Sequence, residues 1–205
     1  WFCRNRQRIL RTRHQHDFLL LKRKLLFVIM FEKENGGRFM SEMRRRDRQV
    51  TDLAEIKEIV EKNMILHLGL FDKEFPYVVP LHYGYEYDEG KNQFIFYMHG
   101  AKQGHKIDLI HQNPNACIQI EGEVIPDYDH EIPCKYGAFF TSFIGRGKAE
   151  LLEKHDEKAH ALNQLMQHQT GKRFEFTEKM TKPVAVIKVV VTDYSAKAKK
   201  MKSAK

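Results

Sequence analysis

From Asp52 onward the apolar positions recur with regular periods. In DLAEIKEIVEKN (52–63), Leu53, Ile56, Ile59 and Val60 fall on one helical face, with Asp52 placed as N-cap and Glu55 three positions on. MILHLGLF and FPYVVPLHYGYEY read as strands joined by a turn at Asp72-Lys73-Glu74. Pro80 inside the second run predicts an edge strand or a bulge, where backbone can face a ligand instead of another strand. Asp88-Glu89-Gly90-Lys91 makes the next turn, and NQFIFYM the next strand. Lys106 to His111 is a short helix stopped by Asn113-Pro114. NACIQIEGEV is a strand, and FFTSFIGRGKAELL another, interrupted by Gly145 and Gly147. HDEKAHALNQLMQHQT is a helix with a stripe of Ala161, Leu162, Leu165 and Met166, closed by Gly171, and VAVIKVVVTDYSAK is the final strand.

The order is therefore helix, three strands, helix, two or more strands, helix, strand. No βαβ unit repeats, which argues against a doubly wound sheet. The expected fold is mainly β with flanking helices, an α+β arrangement of short antiparallel strands forming a partly open barrel.

The chain has 205 residues, enough for one domain with a full core, and 42% of them are apolar. Its net charge of +8 is unevenly placed: residues 1–40 carry 10 basic and 3 acidic side chains, and the remainder is almost balanced. A nearly neutral body flanked by basic ends argues against a nucleic-acid-binding function, and neither end has the aromatic spacing of a stacking platform. Residues 195–205 read as a solvated basic tail. The longest apolar run in the first forty residues, LLFVIMF, is seven residues long, against about 20 for a membrane span. No basic-then-apolar-then-small order marks a signal peptide. Asn35-Gly36-Gly37-Arg38 can be encoded by a purine-rich ribosome-binding sequence just ahead of Met40. We therefore read residues 1–39 as translated upstream sequence or a basic extension, with the start at Met40 or Met43. N-terminal mass determination on the native protein tests this. Cys3, Cys117 and Cys134 are an odd number without CxxC spacing, which points to a reducing, cytoplasmic setting.

One segment stands out for chemistry, FYMHGAKQGHKIDLIHQNPN (96–115). Gly100 and Gly104 permit close backbone approach, the start of the following helix offers free N–H groups, and Lys102, His105 and Lys106 add positive charge. That set suits a phosphate, and it equally describes a solvated basic turn. It is neither a Walker A loop nor a dinucleotide fingerprint. His82, His99, His105 and His111 lack HExxH or paired His/Cys spacing, so no metal site is expected. No Gly-x-Ser-x-Gly elbow marks a nucleophile. Tyr77, Tyr83, Tyr85, Tyr87, Phe94, Phe96 and Tyr97 crowd adjacent strands. Alternation puts part of this set in the core and leaves the rest for a flat-ring pocket or a subunit interface.

FPYVVPLHYGYEYDEG, FIFYMHGAKQGHKIDLIHQNPNACIQI, CKYGAFFTSFIGRGKAEL and EKAHALNQLMQH, in this order, resemble the pyridoxamine 5'-phosphate oxidase-like flavoproteins, in particular the branch with the nitroimidazole-resistance reductases. The resemblance spans about residues 43–194. It implies a split β-barrel of FMN-binding type and a homodimer with FMN in clefts between the subunits. It also implies an FMN-dependent oxidoreductase acting on a nitroaromatic, another small acceptor or a B6 vitamer, the last fitting this branch least. Carried over by position, Val78, Val79, Pro80 and Leu81 would run beside the isoalloxazine, with Tyr97 and His99 bordering its other side. Gly104, His105 and Lys106 would hold the phosphate, and Ser142 would be a further polar contact. Two positions depart from the family pattern: Thr141 stands where relatives often have arginine, and His82 where Asn or Ser is common. No catalytic acid or base is assigned, with His82 and His99 the residues to test. A flavin- or haem-binding protein without turnover is the alternative.

Overall fold

The computed structural model describes residues 43–128 and 131–201. The upstream-sequence expectation for residues 1–39 lies outside them.

A short 3-10 turn (Arg46–Arg48) leads into β1 (Gln49–Val50) and helix α1 (Leu53–Glu61). The Asp52 carboxylate caps α1 by accepting from the Ala54 N–H at 3.1 Å, while Glu55 pairs with Lys200 instead of closing a capping box. Strands β2 (Ile65–Asp72) and β3 (Phe75–His82) form a hairpin whose turn is set by Lys73 at φ 44°. Then come β4 (Gly84–Asp88), β5 (Gln93–Ala101), helix α2 (His105–Gln112), β6 (Asn115–Glu121) and β7 (Ile125–Asp127). A 3-10 turn at Pro133–Lys135 precedes the long strand β8 (Gly137–Leu152). Helix α3 (His155–Thr170), the single turn α4 (Glu178–Thr181) and β9 (Val184–Lys199) complete the described chain. Strand β9 runs through Lys199, so Ser195 to Lys199, within the stretch assigned to the basic tail, pair with β8.

The run read as one strand, 75–87, is two. Gly84 opens the second, and a Cβ there would lie 2.2 Å from the Leu165 amide nitrogen. Only glycine lets α3 lie this close to β4, and the chain changes direction at the buried Tyr83 to reach that contact.

Nine strands form one antiparallel sheet in the order β3-β2-β6-β8-β9-β5-β4, with β1 on β9 and β7 on β8. The expected split β-barrel is not formed, because the sheet is open. Its end strands β3 and β4 pair only with β2 and β5. Two physical causes are visible. Pro76 and Pro80, four residues apart, remove N–H donors from the same edge of β3. The Tyr83 carbonyl, between the two end strands, accepts from His168 and Gln169 side chains of α3 instead of from a strand. What holds from the sequence reading is the class, α+β with mainly antiparallel strands.

Leu66, Leu68, Phe94, Phe96, Ile118, Ile120, Phe143 and Ile187 are fully buried in one cluster, with Ile56, Ile59 and Val60 of α1 packed into it. A second, smaller cluster of Tyr97, Leu152, Ala161, Leu162 and Val186 seats α3. At about 25 cal/mol per Å² of apolar surface removed from water, clusters of this kind supply most of the driving force for the fold.

Candidate functional site

The two-residue period of an edge strand sorts the β3 side chains. Tyr77, Val79 and Leu81 turn toward the core and are part-buried against it, whereas Pro76, Val78, Pro80 and His82 face outward and are exposed. Val78 is 58% exposed and lines a groove of about 930 Å³ across β3, β2, β6 and β8. Gly69 and Cys117 form the groove's floor, with Phe71 and Pro76 on the β3 side and Arg146, Gln119 and Glu121 opposite. The Cys117 thiol is pushed up by burial, and the nearby Arg146 guanidinium opposes that shift. The backbone N–H of Val78 lies on the same unpaired edge as the prolines, and β3 is an edge strand, as the sequence reading of Pro80 expected.

At the end of β5, Gly104 takes φ 133°, a conformation available to glycine, and turns the chain into α2. Its carbonyl accepts from Ile107 and Asp108, which leaves the N–H groups of His105 and Lys106 without helical acceptors. Lys106 folds back over Gly100: a Cβ at position 100 would stand 2.9 Å from the Lys106 Nζ. The His99 imidazole titrates below the ordinary histidine range, first because neighbouring protein desolvates it, then because His82 and Lys106 face it. No carboxylate is paired with Lys106 among the described residues, so Lys106 is a positive charge without a paired counter-charge beside the His99 and His82 imidazoles.

His105 is committed differently. Its Nε2 meets the Asp72 carboxylate at 2.6 Å, and its ring stands edge-on to Tyr77 at 5.2 Å between centroids. The side chain thus ties the start of α2 to the β2–β3 hairpin, and only its backbone N–H remains for a ligand.

Ser142 lies apart from this cluster, and the Tyr97 hydroxyl is committed elsewhere. The Tyr97 ring turns away into α3, where its hydroxyl donates to Glu86 at 2.7 Å, and burial first and then Glu86 push its ionisation up. Ser142 pairs with Lys197 on β9, while His99 pairs with Val186, eleven residues along the same strand. At about 3.3 Å per residue the two positions are roughly 36 Å apart along the strand path. Thr141 faces Gly122, beside α1, not the groove. Val78 to Leu81, His99, Gly104, His105 and Lys106 are brought together within one chain; Tyr97 is two residues from His99 on β5 with its hydroxyl on Glu86, and Ser142 is not brought to them.

Two participants carried no sequence signal. Asp72 was read only as a turn residue, and Gln169, on a helix 87 residues from His82, meets that ring's Nδ1 at 2.8 Å. Contacts between distant segments leave no local pattern.

Residues 52–198 match the family model described as pyridoxamine 5'-phosphate oxidase. The chain belongs to that family. Among solved structures, a candidate 5-nitroimidazole antibiotic resistance protein from Bacteroides thetaiotaomicron is 33% identical, with TM-score 0.63, over 73% of this chain and 85% of that one. The flavocytochrome Anf3 from Azotobacter vinelandii shares the fold at 18% identity and TM-score 0.63, covering 78% and 73% of the two chains. The FAD and heme binding protein from Mycobacterium smegmatis does so at 13% identity and TM-score 0.61, over 77% and 76%. No curated protein sequence matches the chain. Among the described residues of this family member, no helix is long and apolar enough to cross a membrane.

Proposed function

We propose that this member of the pyridoxamine 5'-phosphate oxidase family binds FMN and works as an FMN-dependent oxidoreductase. Its acceptor is a small organic molecule, a nitroaromatic such as a 5-nitroimidazole being the first to test. The observation that carries the reading is Lys106, with no carboxylate paired to it among the described residues, beside the His82 and His99 imidazoles and the open N–H groups of His105 and Lys106. A phosphate dianion is the ligand such an arrangement compensates best. The bare backbone at Gly100 gives Lys106 the space to reach it.

In this reading Lys106, with the N–H groups of His105 and Lys106, holds the phosphate. The unpaired edge of β3 from Val78 to Leu81 offers backbone hydrogen bonds and an apolar border to a flat ring. FMN, when bound, supplies the electron transfer. The chain's own residues bind it, orient it and keep water from one face. The Bacteroides relative, by its description, favours the nitroimidazole class of acceptor. Ser142 joins the site only from a second subunit, because within one chain its β9 partner Lys197 stands far along the strand from the partner of His99. A homodimer with the cofactor between subunits follows, and the outer groove, with exposed Phe71 and Val78 at its β3 side, is the face it would cover.

The test is a visible absorbance spectrum of the full chain purified from cells, with the released chromophore identified by mass, followed by NADH or NADPH reduction and reoxidation by a nitroimidazole. Flavin bands with an FMN mass and turnover are expected. A colourless protein that fails to take up added FMN would remove the reading, and bound flavin without reoxidation would make it a carrier.

A further inference from the structure

Gln169, near the C-terminal end of α3, has its amide orientation settled by what surrounds it. Its Nε2 lies 3.0 Å from the Met64 carbonyl and 2.9 Å from the Tyr83 carbonyl. Carbonyl oxygens only accept, so the NH2 group must face them. The amide oxygen Oε1 is then the atom 2.8 Å from His82 Nδ1. An amide oxygen also only accepts, so Nδ1 carries the hydrogen. The adjacent His168 has its Nδ1 at the same Tyr83 carbonyl and its Nε2 at the Glu61 carbonyl, of which the neutral ring can donate to one, a further tie at the end of α3.

We propose that Gln169 is a positioning residue that holds His82 as the Nδ1–H tautomer. Neutral His82 therefore presents a lone pair at Nε2, which has no hydrogen-bond partner among the described residues. His82 lies close enough to His99 for their charges to interact, and His99 in turn feels Lys106. On the flavin reading, with the phosphate on Lys106, Nε2 is an acceptor for a ligand that carries a hydroxyl next to its phosphate. The ribityl chain of FMN is such a group, so the ligand part of this inference rests on the flavin reading above. The tautomer part does not.

Two-bond 1H–15N correlation spectra of the full chain at about pH 8.5, where histidine is neutral, read the tautomer directly. The His82 signals are expected to show Nδ1–H in the native protein. Gln169→Leu is expected to lose that signature and to bind FMN about five- to tenfold more weakly, the scale of one neutral hydrogen bond. An Nε2–H signature for His82 in the native protein overturns the proposal without any variant. So does Nδ1–H persisting in a folded Gln169→Leu protein. Should the native protein show Nδ1–H yet take up no FMN, Gln169's positioning role is supported and the flavin reading fails on its own.

Discussion

The imidazole of His105 and the carboxylate of Asp72 meet at 2.6 Å, joining the first residue of α2 to the last residue of β2. The contact spans 33 residues of sequence and fixes where the N-terminus of α2 lies relative to β3. It is half in solvent, the His105 side chain being 54% exposed. Asp72→Ala should therefore cost only about 0.5–1 kcal/mol of global stability by urea denaturation. FMN affinity should fall severalfold, because the N–H groups proposed to hold the phosphate lose their anchor. A stability loss above about 3 kcal/mol with unchanged FMN affinity would mean that the pair supports the fold and not the site.

Lys106 is the side chain expected to carry most of the phosphate affinity. Lys106→Met keeps the aliphatic length and removes the charge. A charge-assisted hydrogen bond contributes about 1.5–3 kcal/mol, so the Kd for FMN should rise about ten- to a hundredfold. Thermal stability should change little or improve, since the cluster loses one unpaired charge. Fluorescence titration of FMN checks this, and an unchanged Kd would move the phosphate elsewhere.

The His99 imidazole sits below its ordinary value of 6.5 because of desolvation, then His82 and Lys106. Between the two values the unfolded chain binds more protons than the folded one. The stability that neutral His99 contributes is thus present above 6.5 and lost as pH falls through the folded value. A bound phosphate reverses the local charge and favours the protonated ring. FMN should consequently bind more tightly near pH 6 than near pH 8, with proton uptake, and His99→Gln should flatten that dependence. Calorimetry in two buffers of different ionisation enthalpy measures the uptake directly.

If Ser142 completes the site from a neighbouring subunit, Ser142→Ala and Lys106→Met damage different halves of it. A mixed dimer of the two variants contains one site with both changes and one with neither. Mixing two poorly binding preparations under exchange conditions should restore up to about half of the FMN sites in the mixed dimers. No restoration, with subunit exchange demonstrated, would show that Ser142 and Lys106 do not share a site across subunits.

Gly84 tests the architecture independently of any ligand. A Cβ at this position would overlap backbone atoms of Gln164 and Leu165 at 2.2–2.5 Å, which a rotamer change cannot relieve. Gly84→Ala should destabilise by about 2–3 kcal/mol or more, as backbone overpacking does. Detachment of α3 should also free Gln169 from His82, and an unperturbed Tm would mean that α3 packs elsewhere.

Most elements were legible from the chain alone. Ile56, Ile59 and Val60 recur at helical spacing and form the buried face of α1, and Pro80 marks an edge strand because it has no N–H. The basic loop from His99 to Lys106 was legible for the same reason: glycine and charge act within a few residues. Closure of the sheet was not, because whether β3 meets β4 depends on which groups claim the Tyr83 carbonyl, and His168 and Gln169 claim it from α3. The division of β3 from β4 was hidden likewise, since Gly84 gains its meaning from a helix eighty residues away. Nor was it legible that the His105 side chain meets Asp72 and that the Tyr97 hydroxyl donates to Glu86. Local periodicity and backbone chemistry are written into neighbouring residues. The partner of a polar side chain is decided by chain segments that come together only on folding, and those partners set the tautomers, charges and openings on which the site depends.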